Sequence, residues 1–269
     1  MSSILNLLEQ DTFKELNLNS FKEQFFKLTN TWTWEIQGFV DRQSVVYPID
    51  SDTKVLSTVF ERLASPVIRS IAKDSCYVVE IANQTTYPDF TLTLYSHDRK
   101  ILHRIAIDVK TTYAERAGKP NQFKNMKFTL GSYKSFIRND TKNILHSYST
   151  YNEHWVLGFI YLRNSGFQEY DLGNLPKVGE INCPYTIQNI FLVDKIDIIG
   201  LRAGSGNTAN IGSVALNNPR DFSIVKGPFT RFKRAKEAAD YFWCNYERLK
   251  SEISDEASLV AHAEFTQFL

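Results

Sequence analysis

Apolar side chains at Ile4, Leu7, Leu8, Phe13, Leu16, Leu18, Phe21, Phe25, Phe26 and Leu28 recur largely at helical spacing, which predicts one or two helices over residues 2–28. The period then changes. TWTWEIQGFV and QSVVYPI alternate and are rich in β-branched and aromatic residues, as short strands are. From Lys54 to Lys73 the helical period returns, with Val55, Val59, Leu63, Val67 and Ile71 on one stripe and Ser51 or Asp52 placed to cap it. CYVVEIA, FTLTLYS and HRIAIDVKTTY follow as three strands in quick succession. HWVLGFIYLR is apolar without alternation, the mark of a strand covered on both faces. IQNIFLVD and DIIGL add two strands, Lys233 to Ser251 a helical region, and the tail beyond Ser254 a further helix.

The connecting segments carry their own signals. SYKSFIRNDTKNIL suits a helix entry or an irregular loop, residues 164–182 contain Gly166, Gly173, Pro176 and Gly179 and form a loop or insertion, and AGSGNTANIGS is a loop of small residues. No repeat, low-complexity stretch or long linker divides the chain. The expectation is one α/β domain over residues 1–269, a mixed central β-sheet flanked by helices.

Composition narrows this only slightly. With 269 residues, 43% of them apolar, the chain can bury a large core. The opening MSSILNLLEQDTFKEL has no apolar run of signal or membrane length, which places the protein in the cytoplasm, away from membranes. Cys76, Cys183 and Cys244 form no CxxC pair and are expected to be buried small residues, without disulfide or zinc. Net charge is +1, but Arg116 to Lys142 holds seven bases against Asp140 alone, and Lys226 to Lys236 holds five bases and no acid. Such segments are either solvated faces or contacts for a polyanion.

The chemistry concentrates in YPDFTLTLYSHDRKILHRIAIDVKTTY. Alternation in HRIAIDVK puts Asp108 and Lys110 on the same strand face, about 7 Å apart by strand repeat. Asp89, at the start of FTLTLYS, lies beside Asp108 if the two strands pair through SHDRK. Converging carboxylates repel unless a cation sits between them, and oxygen-seeking Mg²⁺ suits that position. An adjacent lysine can orient a water or stabilise charge on a phosphoryl oxygen, so the set could hydrolyse a phosphodiester without a covalent intermediate. Glu61, two helical turns from Lys54, could add a third carboxylate or simply face solvent. The spacing alone equally suits two strand-end acids and a surface lysine.

Two loops could meet DNA. LRAGSGNTANIGS matches neither the P-loop nor GxGxxG. Gly204 and Gly206 allow close backbone approach, while Ser205, Asn207, Thr208 and Asn210 carry groups that can read base edges; an ordinary hairpin turn is the other reading. ANQTTYPDF places Asn83, Gln84, Thr85 and Thr86 just before Asp89, where they could touch the minor groove.

Taken together, SDTKVLSTVFE, YPDFTL with IAIDVKTTY, FTLGSYKSFIRNDTKNI and AGSGNTANIGS resemble the EcoRV family of type II restriction endonucleases, in that family's order. The resemblance covers residues 45–247. It implies a PD-(D/E)xK nuclease core that acts as a homodimer and cuts both strands of double-stranded DNA at a palindrome, GATATC, with blunt ends. Mg²⁺ is the implied cofactor, with Mn²⁺ able to substitute, and a cognate DNA methyltransferase is expected to protect the DNA of a prokaryotic host without needing to bind the enzyme. Asp89 and Asp108 would bind metal, Lys110 would be the catalytic lysine, and Glu61 an auxiliary acid at a second metal position. Gly204, Ser205, Gly206, Asn207, Thr208 and Asn210 match the major-groove loop, and Gln84 the minor-groove loop. Thr111, Thr112, Tyr113 and Ser135 would approach the backbone, while Lys54 and Lys142 match basic residues near the DNA and the dimer contact. A dimerisation subdomain is expected around residues 30–50 and 150–165, and recognition loops around 82–87 and 203–212.

Some positions depart from the family pattern. Thr85 and Thr86 replace Asn-His, Ala209 and Lys134 replace threonines, and Ala114 to Met126 is longer. No catalytic carboxylate or lysine is lost. A structure-specific or repair nuclease on the same core, or a DNA-binding protein that does not cut, are the competing readings.

Overall fold

A computed structural model describes residues 15–83, 85–118, 122–140, 142–164, 178–204 and 209–269. Helix α1 (Leu18–Leu28) is capped by Asn17, whose side chain accepts from the Ser20 N–H. Strands β1 (Gly38–Val40) and β2 (Val46–Pro48) form a small antiparallel hairpin. Helix α2 (Thr53–Asp74) starts at Asp52, whose carboxylate accepts from the N–H groups of Lys54 and Val55.

The central sheet has five strands in the order β3 (Val78–Ile81), β4 (Phe90–Tyr95), β5 (Ile101–Ala114), β7 (Glu153–Arg163), β8 (Tyr185–Asp194). The β5–β7 pair is parallel and the others antiparallel, so the sheet is mixed, as expected. A second sheet has β10 (Asn210–Ser213) between β6 (Thr129–Ser132) and β9 (Ile199–Ala203). A helical turn α3 (Lys195–Ile198) separates β8 from β9, so part of DIIGL is helical. Helices α4 (Ala235–Cys244), α5 (Tyr246–Leu249) and α6 (Glu256–Ala261) close the chain.

Odd-numbered β5 positions Ile105, Ile107 and Val109 pack with α1 and α2, while Ala114 and, from β7, Val156 and Ile160 pack toward the second sheet and α4. β7 lies between two cores and is buried from His154 to Tyr161, which explains its unbroken apolar run. On α2 the buried stripe is Leu56, Val59, Phe60, Ala64, Val67, Ile68 and Ile71. Phe60 stacks on Phe159 at 4.4 Å between ring centres. Val55 and Leu63 flank that stripe, half-buried against the core, and also line an open apolar groove of about 600 Å³ with Phe39, Val40 and Ile36.

The cysteine expectation fails. Cys76 is exposed and Cys183 and Cys244 are half-buried. Cys76 follows the end of α2 with φ of 63°, where the chain turns outward before β3.

Candidate active site

The β4–β5 hairpin forms as its alternation predicts. Ser96 donates its N–H to Lys100 O at 2.8 Å to close the turn, and Phe90 pairs with Ile107. One step further in that register brings Asp89 to Asp108. The Asp89 carboxylate accepts the Val109 N–H at 2.6 Å, so the β5 backbone itself positions it. Asp108 is only 2% exposed. Its Oδ1 accepts from Lys110 Nζ at 2.5 Å, and its buried Oδ2 has no hydrogen-bond partner among the described residues. The strand repeat had separated acid and lysine; the flexible lysine stem closes that gap. Both groups lie deeper than a surface dyad.

Glu61 reaches the same place from α2. It lines, with Thr58, Ser65, Asn83 and Asp89, a cleft of about 310 Å³. Burial raises its carboxyl above the usual range, Lys110 opposes this, and Asp108 adds to it. Asp89 is raised far more, by burial, against Lys110, with Asp108 and Glu61 reinforcing the shift. For Lys110, burial works against the charged form, yet Asp108 and Asp89 outweigh it and raise the amine. The cluster carries more negative charge than one lysine neutralises.

Among the described residues, no three carboxylate, histidine or cysteine side chains gather closely enough to enclose a metal by themselves. An unpartnered buried Asp108 oxygen beside a crowded Asp89 nonetheless fits a hard divalent cation that takes one or two carboxylates and completes its shell with water and phosphate. Glu61 is the outlying member of this set.

Gln84, Ser205, Gly206, Asn207 and Thr208 lie outside the described residues, so of the loop expected to enter the major groove only the base is described. There Gly204 N–H donates to Asn210 O at 2.9 Å. Asn210 pairs with Ser132 on β6, and Tyr133 N–H donates to Ala209 O at 3.0 Å. Gly204 is closely packed: a Cβ there would lie 2.9 Å from Thr129 Oγ1. Ser135 sits in a π-helical turn, Lys134–Arg138, directly after β6, so it and the loop share one support. Thr111, Thr112 and Tyr113 are half-buried on the second half of β5, with Arg163 stacked on Tyr113.

Lys142 is exposed next to Asn143, whose carbonyl accepts the Tyr87 N–H at 3.0 Å, which ties this basic loop to the Tyr-Pro-Asp turn. Lys54 is elsewhere, in the apolar groove beside Phe39. The Lys226–Lys236 segment is largely consumed within the chain: Lys226 pairs with Asp197, Arg231 with Glu256 and Arg234 with Glu237, while Lys236 donates to Tyr151 O. Three of its five bases thus form exposed ion pairs within the chain.

Sequence patterning passed over Tyr87, His154, Lys195 and Asp240, which are gathered beneath the carboxylates. The available signal was FLVDKIDII, where a lysine interrupts two apolar runs.

A family model described as Restriction endonuclease EcoRV matches residues 30–269. The Type II restriction enzyme EcoRV of Escherichia coli is 42% identical over 228 residues, covering 83% of this chain and 86% of that protein. The family model takes in both the β4–β5 hairpin and the β9–β10 segment, and with it this chain belongs to the EcoRV family of restriction endonucleases.

Proposed function

We propose that this type II restriction endonuclease hydrolyses both strands of duplex DNA at GATATC, at the centre of the site, with Mg²⁺ or Mn²⁺ as cofactor. The observation that carries the reading is the convergence of Asp89, Asp108 and Lys110 at one end of the sheet, with Glu61 across the cleft. Asp89 and Asp108 would hold the metal and Glu61 would support a second position. When bound, a divalent cation polarises the phosphodiester and makes a coordinated water more acidic. Lys110, already donating to Asp108, presents an ammonium where negative charge develops on the phosphoryl oxygens. The buried walls around Asp108 keep that charge in a poorly screened setting.

Base reading falls to the β9–β10 loop, and Gln84 with Thr85 and Thr86 to the opposite groove. The Lys142 loop and Ser135 contact phosphates. The central TA step unstacks easily, so bending it adds specificity without base contacts.

A palindrome calls for two-fold symmetry, and the chain offers a surface for a second copy. Phe39, Val40 and Tyr47 on the β1–β2 hairpin are 55%, 65% and 45% exposed, and the apolar groove beside α2 continues them. Residues 154–161 are buried in the sheet, so in this reading the dimer contact is carried by the hairpin and α2. No helix among the described residues is long and apolar enough to cross a membrane. The enzyme would act in the cytoplasm of a prokaryotic cell whose own DNA a cognate methyltransferase protects.

The test is digestion of a linear DNA of known sequence by the purified protein with Mg²⁺, followed by sequencing of the new ends. Blunt ends inside GATATC are expected. Discrete cuts elsewhere would refute the assigned site and move recognition onto Thr85, Thr86 and Ala209, and absence of cutting with either metal would refute the nuclease reading.

A further inference from the structure

Lys195, in the turn α3 that follows β8, is 1% exposed, and its Nζ makes no hydrogen bond among the described residues. A buried ammonium costs several kcal/mol unless an opposite charge or a ring face compensates it. Its Nζ lies 4.8 Å from the centre of the Tyr87 ring and 5.9 Å from that of Tyr148. Tyr87 is itself clamped: its ring stacks on Phe136 at 4.6 Å, and its hydroxyl meets His154 Nδ1 at 2.7 Å. Tyr87 leads directly through Pro88 into Asp89.

The charges facing Lys195 come from three elements. They are Asp108 and Lys110 from β5, Asp194 from the end of β8, and Asp240 from α4, with Asp108 the strongest attraction. Lys236, also on α4, approaches Tyr148 and His154 from the far side. Asp194 is engaged in capping Ile196 N–H, and Asp240 is bonded to the Tyr148 hydroxyl. Among the described residues, Asp108 Oδ2 is left as a buried carboxylate oxygen without a hydrogen-bond partner.

We propose that Lys195 is a positioning residue of the active site, balancing Asp108 from the protein interior and bracing, through the Tyr87 ring, the turn that presents Asp89. The proposal rests on the reading of Asp89 and Asp108 as the site's carboxylates, but it can be tested without cleavage. Lys195→Met keeps the stem and removes the charge. In EDTA, without DNA, the Tm change it causes should be shifted upward in an Asp108→Asn background, because interacting charges couple and separate sites add. Equal Tm changes in both backgrounds would overturn the proposal and leave Lys195 a packing residue.

If Lys195→Met does not fold, NMR of the ¹⁵N-labelled ammonium gives the same answer with Lys195 intact. Its titration midpoint should fall in Asp108→Asn, and an unchanged midpoint overturns the proposal. With metal and DNA, Lys195→Met should lose about tenfold in kcat with KM little changed and no greater need for metal, since removing a cation relieves repulsion of the metal. Lys195→Arg should recover most of that loss. A raised metal requirement in Lys195→Met would argue against the proposal. Coupling in EDTA together with no DNA cleavage by the parent protein would support the Lys195–Asp108 pairing while sinking the nuclease reading.

Discussion

Gly204→Ala places a methyl group at the base of the β9–β10 loop. The new Cβ would lie 2.9 Å from Thr129 Oγ1, 3.1 Å from Thr129 Cγ2 and 3.3 Å from Ile211 O. Relaxed contacts of this kind lie at about 3.5–4.0 Å, so β6 and the hairpin must separate by roughly half an ångström or more. Overpacking costs about 1–3 kcal/mol, and the half-buried Thr129 can yield a little, which favours the lower half of that range. At about 2–4 °C per kcal/mol for a chain near this size, Tm should fall by several degrees. The displaced loop base is on the second sheet, whereas Asp89, Asp108 and Lys110 are on the first. Discrimination between the cognate site and sites with one altered base should therefore fall more than stabilisation by metal, which thermal melts with and without Mg²⁺ would report. Thr129→Ala removes the two nearest atoms and should restore most of the loss, measured against Thr129→Ala alone. A Gly204→Ala protein with parental Tm and discrimination, or one that Thr129→Ala fails to rescue, would refute this packing argument.

Asp89→Ala and Lys110→Ala should each drop cleavage below detection while circular dichroism shows the fold retained. Asp89→Asn should hold or raise Tm in EDTA, because it relieves crowding with Asp108 and Glu61 and still accepts the Val109 N–H; a clear fall in Tm would contradict the electrostatic account. Burial pushes Asp240 from 3.8 up to about 6 against Lys236 and Lys195. The folded chain thus holds this proton more tightly, so the stability it contributes is full below about pH 3.8 and is lost as pH rises through about 6. Asp240→Asn should flatten that decline in denaturant melts from pH 4 to 7, and identical pH slopes would count against it. Phe39→Asp should weaken self-association in sedimentation velocity without lowering Tm at low protein concentration; an unchanged association state would move the dimer contact away from the β1–β2 hairpin.

The pairing of β4 with β5 was legible because both strands alternate and a turn of suitable length joins them. Asp89 could be set beside Asp108 only on condition of that pairing, and the Phe90–Ile107 register meets the condition. The start of α2 was legible as a cap at Ser51 or Asp52, since a helix start needs a side-chain acceptor, and the structure uses Asp52. Other features were not. The α2 stripe was drawn through Val55 and Leu63, which periodicity cannot distinguish from Phe60 and Ile68; whether such a residue faces the core or an open groove depends on what packs against it. The basic run from Lys226 to Lys236 could be read as a solvated face or a polyanion contact, because two of its acidic partners, Asp197 and Glu256, are distant in the chain.

Local order in the chain was enough for most element types and for the β4–β5 hairpin that carries Asp89, Asp108 and Lys110, because period, turn chemistry and side-chain type act over a few residues. Burial of Asp108, the approach of Glu61 from α2, and the placement of Lys195 under Tyr87 arise from elements far apart in sequence. Desolvation and charge coupling depend on distances in space, and those exist only once the sheet has brought β5, α2 and α3 together.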